Sequence, residues 1–366
     1  MFVVGAARSG TTPLQLALNM HPELGVYGET QAFFVHDKFA AGPSEIKLRR
    51  LLAYWRVVLS GCCPYDDFLD NEHIQRRLAA APTYAHILNV IMGAIAAREG
   101  KSRWGEKSPA HIFKLDEIRA CFPNARIIHI VRDPRAVVCS TIKAFNRGQF
   151  SDWNIYSSAR YWVRCLRAHA RQVSTKADGY MLVHYEDFVT RPKETLTLIS
   201  AFLGLKFVDE MLNAHRVAAD YIRPDKSGNI PALHSLTQHR LDSGRTDAWR
   251  QILSPSQYKL IERTAGKQMA TLGYLPARQE YSPPQMRVSF FLPRWAVGEG
   301  RRIVMKKIRE PYRALRRVID SQTSTVTSPE PGSSESSPLN LKPSGRQQSI
   351  EVAATEPQGE VRGSGT

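Results

Sequence analysis

"FVVGAARSGTTPLQLALNM", residues 2–20, is the stretch of the chain that decides the fold. Its first five residues are apolar or small and predict a short buried strand, and residues 11–20 carry a helical apolar pattern. The turn between them, Gly5 to Thr12, has a glycine on each side of a four-residue spacer. A strand, such a turn and a helix direct backbone N–H groups and the helix dipole at one point, which predicts a site for a phosphate-like anion.

The side chains of this turn indicate what kind of anion it holds. Phosphate loops that bind magnesium nucleotides read G-x-x-x-x-G-K-[ST], and Thr11 stands here in place of the lysine, after Gly10. Arg8 supplies a full charge and a planar fork for oxyanions, and Ser9, Thr11 and Thr12 supply hydroxyl donors. The sequence shows no apolar strand ending in Asp that would complete a magnesium site. We therefore expect a ligand that needs no metal, the alternative being a glycine-containing turn with no ligand.

A second motif, "RIIHIVRDPRAVVCS", occupies residues 126–140. Its buried strand ends at Arg132, Pro134 suits the first turn of the following helix, and Ser140 lies further along that helix. The carboxyl ends of parallel strands form the usual ligand crevice of α/β folds, so both side chains can face the same site as the first turn.

Short strand patterns near residues 25–29, 103–108 and 179–187 alternate with helical patterns. The helical patterns cover residues 44–59, 83–98, 111–122, 161–173, 192–203 and 254–273. This alternation predicts an α/β protein with a P-loop-like, mainly parallel sheet flanked by helices.

The composition changes after about residue 275, which predicts three regions. Residues 1–275 form the catalytic-type domain, 276–320 a basic helical extension, and 321–366 a disordered tail that is rich in Ser, Pro, Gly and Glu and has no aromatic residue. Within the extension, residues 301–319 contain eight Lys or Arg and one Glu. Two alternatives stay open for it: a peripheral contact with an anionic membrane, or a solvated basic helix on the domain.

Charge and cysteine content limit the classes of partner and compartment. The chain of 366 residues has a formal net charge of +16, which favours an anionic partner without choosing one. Five cysteines with no C-x-x-C pair indicate reduced thiols, and neither a signal peptide nor an apolar run long enough to span a bilayer is evident. We expect a cytoplasmic protein, with no specific nucleic acid among its partners.

The opening of the chain, "FVVGAARSGTTPLQLALNMHPELGVYGET", resembles the sulfotransferases that use 3'-phosphoadenosine 5'-phosphosulfate (PAPS). The resemblance is strongest to the bacterial-type and tyrosylprotein branch, where an Arg-Ser-Gly-Thr-Thr loop binds the 5'-phosphosulfate. Here that loop is Arg8 to Thr12, followed by His21-Pro22 and Gly28-Glu29. The cytosolic small-molecule branch usually has Lys at the position of Arg8. The resemblance covers roughly residues 1–275 and implies PAPS as donor with no metal.

The same resemblance implies roles for residues outside the first loop. Arg132 and Ser140 match the residues that contact the 3'-phosphate of the nucleotide. "SGRTDAW", residues 243–249, is a weakened form of the segment that closes over the nucleotide, so Arg245 is a candidate contact, with a plain surface loop as the alternative.

Sulfuryl transfer needs a base for the acceptor hydroxyl and a cation for the leaving group. The resemblance implies Glu29 as the base, the alternative being a surface or capping Glu that opens a helix over residues 30–40. It implies Lys107 in "WGEKSP" as the cation that acts together with Arg8, the alternative being a solvated lysine. Glu106 is expected to orient Lys107.

His21 and His111 are rival bases. Residues 30–103, which would bind the acceptor, hold aromatic side chains that we expect to be mostly core: Phe33, Phe34, Tyr54, Trp55 and Tyr84.

Three function classes follow. The first is a sulfotransferase that acts on a hydroxyl of a carbohydrate, a lipid or a tyrosine. The second is a P-loop-type phosphotransferase or kinase, which the missing lysine disfavours. The third is a non-enzymatic basic binding module, whose affinity would collapse with salt.

Overall fold

A computed structural model describes residues 1–35, 45–62, 67–145, 148–175, 179–216, 241–274 and 276–277. All of these residues belong to one compact unit. The predicted basic extension and disordered tail lie outside the described residues, apart from residues 276 and 277, and stay predictions.

Five strands form one sheet with the order β2-β3-β1-β4-β5, and every neighbouring pair is parallel. The strands are β1 (Phe2–Gly5), β2 (Leu24–Gly28), β3 (Arg103–Lys107), β4 (Ile127–Val131) and β5 (Tyr180–His184). Strand β1 is central, with Phe2 opposite Glu106 on one side and Ile127 on the other. The predicted α/β fold with a parallel sheet is confirmed.

Ten α-helices surround this sheet in the part of the chain that the structure describes. They are α1 (Thr11–Asn19), α2 (Glu45–Cys62), α3 (Glu72–Ala79), α4 (Tyr84–Arg98), α5 (Leu115–Cys121), α6 (Pro134–Phe145), α7 (Asp152–Thr175), α8 (Tyr185–Thr190), α9 (Pro192–Leu203) and α10 (Pro255–Thr271). Short 3-10 turns lie at Ala32–Phe34, Asp67–Asp70, Pro109–Phe113, Asp209–Arg216, Ser243–Arg245 and Ala248–Gln251.

The alternation of side chains along β1 divides the core between the two faces of the sheet. Phe2 and Val4 point to the face covered by α2, α4 and α7, whereas Val3 points to the face covered by α1, α8 and α9. A smaller apolar cluster joins α6, α7 and α10 around Trp249. This three-layer arrangement leaves the carboxyl edge of the sheet for polar side chains.

The structure differs from two predicted elements and contains a helix that was not predicted. The single helix expected over residues 111–122 is a 3-10 turn followed by α5, with Lys114 between them in a non-helical conformation. The strand expected to reach residue 187 ends at His184, because α8 begins directly after it. Helix α3 was not predicted, and the Asn71 side chain caps it by accepting hydrogen bonds from the N–H groups of His73 and Ile74.

None of the helices among these residues has the length and apolar character that crossing a membrane requires.

Candidate active site

Each of the five strands brings one functional side chain to the carboxyl edge of the sheet. Arg8 follows β1, Glu29 follows β2, Lys107 ends β3, Arg132 follows β4 and Tyr185 follows β5. Because all strands are parallel, these five positions lie at one edge. Four of them were predicted from the sequence, whereas Tyr185 was not.

The turn between β1 and α1 requires glycine at one position for two reasons. Gly10 has φ 95°, in the left-handed region that side chains disfavour. A Cβ atom at this residue would lie 2.3 Å from Cδ2 of the Tyr185 ring. Gly10 therefore allows the loop to turn and to pack closely against the Tyr185 ring, which follows β5.

The first loop and the second motif meet through a direct hydrogen bond. The Arg8 side chain donates from Nε to Oγ of Ser140 on α6, over 3.1 Å. Arg8 itself has φ 73°, so the backbone adopts a costly conformation where this contact forms. The two motifs, which are far apart in sequence, are thus in contact at the edge of the sheet.

Arg132 is held by three neighbours at the end of β4. Its guanidinium lies 4.2 Å from the centre of the Tyr185 ring and donates from Nη2 to the Arg245 carbonyl over 2.8 Å. Its own carbonyl accepts from Nε1 of Trp162 over 3.0 Å. Arg245 therefore reaches Arg132 through its backbone, while its side chain pairs with Asp242 at 3.2 Å.

The electrostatics of this edge fit an anionic group. The pKa of Arg8 is lowered by burial and by the nearby charge of Arg132, and Glu29 opposes that shift only in part. Ser9 Oγ and Arg132 Nε are buried, and neither has a hydrogen-bond partner among the described residues. Two clustered guanidinium groups with unsatisfied donors beside them fit the phosphates of a nucleotide.

Glu29 and Lys107 form an ion pair on the other side of the first loop. Lys107 Nζ lies 2.8 Å from Glu29 Oε1 and 3.4 Å from the hydroxyl of Thr12. The Lys107 side chain is 3% exposed, whereas that of Glu29 is 52% exposed. Glu29 is therefore within reach of a molecule in the crevice, and the Lys107 ammonium lies between this carboxylate and the loop.

Glu106 does not orient Lys107, and this expectation was wrong. Successive residues of a strand point to opposite faces, so the two side chains diverge. The buried Glu106 carboxylate instead accepts hydrogen bonds from Thr30, Ser108 and His111.

The two histidines considered as rival bases are buried in structural roles. His111 is fully buried, its Nδ1 donates to Glu106 over 2.9 Å, and its Nε2 accepts from the Phe33 N–H over 3.3 Å. His21 Nε2 lies 3.0 Å from the Lys206 carbonyl, and its Nδ1 accepts from a backbone N–H. Because both ring nitrogens of each histidine already form hydrogen bonds, the Glu29 carboxylate is better placed than either imidazole to accept a proton.

Most of the aromatic residues in the segment after Glu29 belong to the core. Phe33, Tyr54, Trp55 and Tyr84 are buried, as predicted. Phe34 is 38% exposed and stacks on the His111 ring, with 5.8 Å between the two ring centres.

Sequence comparison places these motifs among known proteins. A family model described as "Sulfotransferase family" matches residues 1–210, which is more than half of the chain. A putative protein-tyrosine sulfotransferase of Caenorhabditis briggsae is 26% identical over 220 residues, covering 59% of this chain and 69% of the relative. Protein-tyrosine sulfotransferase 1 of Danio rerio is 23% identical over 324 residues, covering 85% of this chain and 80% of the relative.

Carbohydrate sulfotransferase 3 of Mus musculus is also similar, with 24% identity over 181 residues that cover 45% of this chain and 37% of the relative. Among solved structures, the sulfotransferase domain from the curacin biosynthetic pathway superposes with a TM-score of 0.50 at 18% identity. That superposition covers 75% of this chain and 97% of the domain, and it supports the same fold.

Proposed function

The chain belongs to the sulfotransferase family, and from this premise we propose that it moves a sulfuryl group from PAPS to the hydroxyl of an acceptor molecule. The observation that carries the proposal is the meeting of its two motifs, through the hydrogen bond from Arg8 to Ser140 at the edge of the parallel sheet. This contact joins the loop suited to a phosphosulfate to the helix suited to a second phosphate. A nucleotide with phosphates at two positions matches such a site better than a triphosphate does.

The nucleotide would be held by residues from both motifs. Ser9, Gly10, Thr11 and Thr12 would offer donors to the 5'-phosphosulfate, with Arg8 adding charge. Arg132 and Ser140 would hold the 3'-phosphate. The Arg245 segment lies against Arg132, which supports a closing role for it.

In the reaction, the acceptor oxygen forms a bond to sulfur, and the bond from sulfur to the bridging phosphate oxygen breaks. Adenosine 3',5'-bisphosphate leaves with that electron pair, and Glu29 accepts the proton of the acceptor hydroxyl. Lys107 and Arg8 stabilise the negative charge that develops on the bridging oxygen. The 2.8 Å contact between Lys107 and Glu29 keeps the cation and the base on the same side of the loop.

The acceptor is proposed as a hydroxyl of a tyrosine, a carbohydrate or a lipid. Similar chains are named as protein-tyrosine and carbohydrate sulfotransferases, which supports the first two. The half-exposed Glu29 carboxylate suits an acceptor that approaches from solvent.

Nucleotide binding is the first test. We expect adenosine 3',5'-bisphosphate to raise the melting temperature equally with and without magnesium. At a concentration one hundred times its dissociation constant, the ligand adds about 2.7 kcal/mol to the free energy of unfolding. Arg132→Ala should abolish this stabilisation, whereas Arg167→Ala, an exposed arginine on α7, should keep it as a matched control.

The other outcomes of the same measurement favour the rival functions. Stabilisation by ATP only in the presence of magnesium would contradict the proposal and favour a kinase. Binding of polyanions that disappears with salt and ignores Arg132→Ala would favour a basic binding module. Transfer of labelled sulfate from PAPS to tyrosine peptides and oligosaccharides then identifies the acceptor class.

Three further expectations belong to this proposal: independence from metal ions, a cytoplasmic location and a membrane contact through residues 301–319. The three cysteines with described side chains, Cys121, Cys139 and Cys165, are free. Residues 301–319 lie outside the described residues. Full activity in the presence of a chelator and sedimentation with anionic vesicles are the measurements for the first and last of these.

A further inference from the structure

The backbone segment that carries Glu29 leaves the sheet in a costly conformation. Glu29 has φ 51° and Gln31 has φ 53°, both in the left-handed region that non-glycine residues disfavour. Such conformations persist where the surroundings determine them strongly. The contacts of residues 29–33, called here the base segment, show what holds them.

Each of the five backbone N–H groups in the base segment has an identified acceptor. The N–H of Glu29 donates to the Lys107 carbonyl over 2.6 Å, and that of Thr30 donates to Glu106 Oε1 over 3.2 Å. The remaining three donate to side chains: Gln31 to Ser108 Oγ over 3.2 Å, Ala32 to Thr30 Oγ1 over 3.3 Å and Phe33 to His111 Nε2 over 3.3 Å.

The three side chains that accept these N–H groups also donate to one carboxylate. Thr30 Oγ1 and Ser108 Oγ donate to Glu106 Oε1, the former over 2.9 Å, and His111 Nδ1 donates to Oε2 over 2.9 Å. Because a backbone N–H can only donate, His111 Nε2 carries no proton and Nδ1 carries the ring proton. Thr30, Ser108 and His111 are therefore three relays with the same polarity, each donating to Glu106 and accepting from the base segment.

This common polarity depends on Glu106 being a pure acceptor. An ionised carboxylate only accepts hydrogen bonds, so each relay must turn its proton inward and its lone pair toward the backbone. Burial by itself raises the pKa of Glu106, whereas the hydrogen bonds that it accepts from His111, Ser108 and Thr30 lower it, and the net pKa lies below the ordinary value.

Two tyrosine hydroxyls also donate hydrogen bonds to the same segment. Tyr54 donates to the Thr30 carbonyl over 2.6 Å and Tyr84 donates to the Ala32 carbonyl over 2.8 Å. Both hydroxyls are buried, so the segment is held through its donors and its acceptors.

From this arrangement we propose that Glu106 is a positioning residue for the base: its buried carboxylate sets the direction of three relays that hold the base segment, and thereby holds Glu29 at the crevice. The inference rests on the proposed function, because the role of Glu29 as a base is part of the proposed sulfuryl transfer. Glu106 does not itself touch the reacting atoms.

The test compares substitutions that change the polarity of the cluster with ones that preserve it. Glu106→Gln keeps the shape but adds an amide donor, so at least one relay must reverse and release its backbone N–H. Thr30→Val removes one relay with little change of shape, and Thr30→Ser restores the hydroxyl. We expect kcat for sulfuryl transfer to fall about 10- to 100-fold in Glu106→Gln and Thr30→Val, and to recover in Thr30→Ser. The affinity for adenosine 3',5'-bisphosphate should change less than about twofold.

A double-variant measurement separates positioning from general destabilisation. In a Glu29→Gln background, followed by single-turnover transfer, Glu106→Gln should cause no further loss of rate, because it acts through Glu29. A full additional loss in that background, or equal losses in Thr30→Val and Thr30→Ser, would overturn the proposal. If Glu106→Gln does not bind the nucleotide, the Thr30 pair decides the question. A wild-type protein that transfers no sulfuryl group would instead refute the proposed function.

Discussion

At the scale of single residues, Arg8 supplies the positive charge of a phosphate loop that lacks the usual lysine. It follows the central strand, contacts Ser140 through Nε, and shares the loop with a buried Ser9 hydroxyl. Its planar guanidinium can reach Ser140 and an oxyanion at the same time, which a lysine ammonium cannot do with the same geometry.

Arg8→Lys should therefore retain charge but lose both activity and nucleotide affinity. Loss of one hydrogen bond to a charged group costs about 1.5–3 kcal/mol, which corresponds to roughly 10- to 100-fold in kcat/KM for PAPS. Steady-state kinetics with Arg167→Lys as the control measures it. An unchanged kcat/KM would show that the fork geometry of Arg8 is dispensable.

At the scale of elements, the turn from β1 to α1 depends on the packing of α8 against it. Gly10 combines a φ of 95° with a close approach to the Tyr185 ring. Gly204, at the end of α9, also has a positive φ of 67°, but a Cβ there would meet nothing within 4 Å. A side chain added at Gly204 therefore introduces backbone strain alone, whereas one added at Gly10 introduces both backbone strain and steric overlap.

Gly10→Ala should destabilise the protein more than Gly204→Ala. Both introduce a side chain at positive φ, at a cost of about 1–3 kcal/mol, and only the first also displaces an aromatic ring. Urea unfolding at neutral pH measures the free energy of each variant. Equal losses in the two variants would show that Tyr185 moves aside without cost.

At the scale of the whole molecule, the buried His129 of the sheet packs against the partly buried His169 of α7. Nδ1 of His129 on β4 forms a hydrogen bond with the Tyr180 hydroxyl over 2.9 Å. The centre of the His129 ring lies 5.1 Å from the centre of the His169 ring. Burial, followed by the charges of His169 and His184, lowers the pKa of His129 to about 3. The folded protein therefore keeps this ring neutral at pH values where the unfolded chain protonates it.

The sign of the resulting pH dependence follows from the two pKa values of His129. Its contribution to stability is complete above the unfolded value of about 6.5, and is lost as the pH falls from there toward 3, at up to about 1.4 kcal/mol per pH unit. His129→Asn should reduce the loss between pH 6.5 and 5 by about 1–2 kcal/mol, while the exposed His73→Asn should not. Urea unfolding at several pH values measures this. Parallel curves for wild type and His129→Asn would contradict it.

The sequence by itself determined the parts of the protein that depend on local chemistry. The order of the five strands, most of the helices between them and the glycine-bounded turn follow from apolar periodicity and turn residues within short stretches. The same local patterns identified Arg8 and Arg132 at the sheet edge, whereas Glu29 and Lys107 were identified through the resemblance to the PAPS-dependent sulfotransferases. Element boundaries were less accurate where caps and breaks depend on tertiary contacts, as for the helix expected over residues 111–122.

Only the tertiary structure decided which polar groups meet and which are buried. The strand order β2-β3-β1-β4-β5 brings Tyr185 onto Gly10 and Arg132, a contact between residues that are distant in sequence. It also places Glu106 beside the base segment, so that a carboxylate next to Lys107 in the chain accepts hydrogen bonds from Thr30, Ser108 and His111 instead. Such pairings depend on long-range packing, because local patterns specify the face of a strand but not the neighbour that covers it.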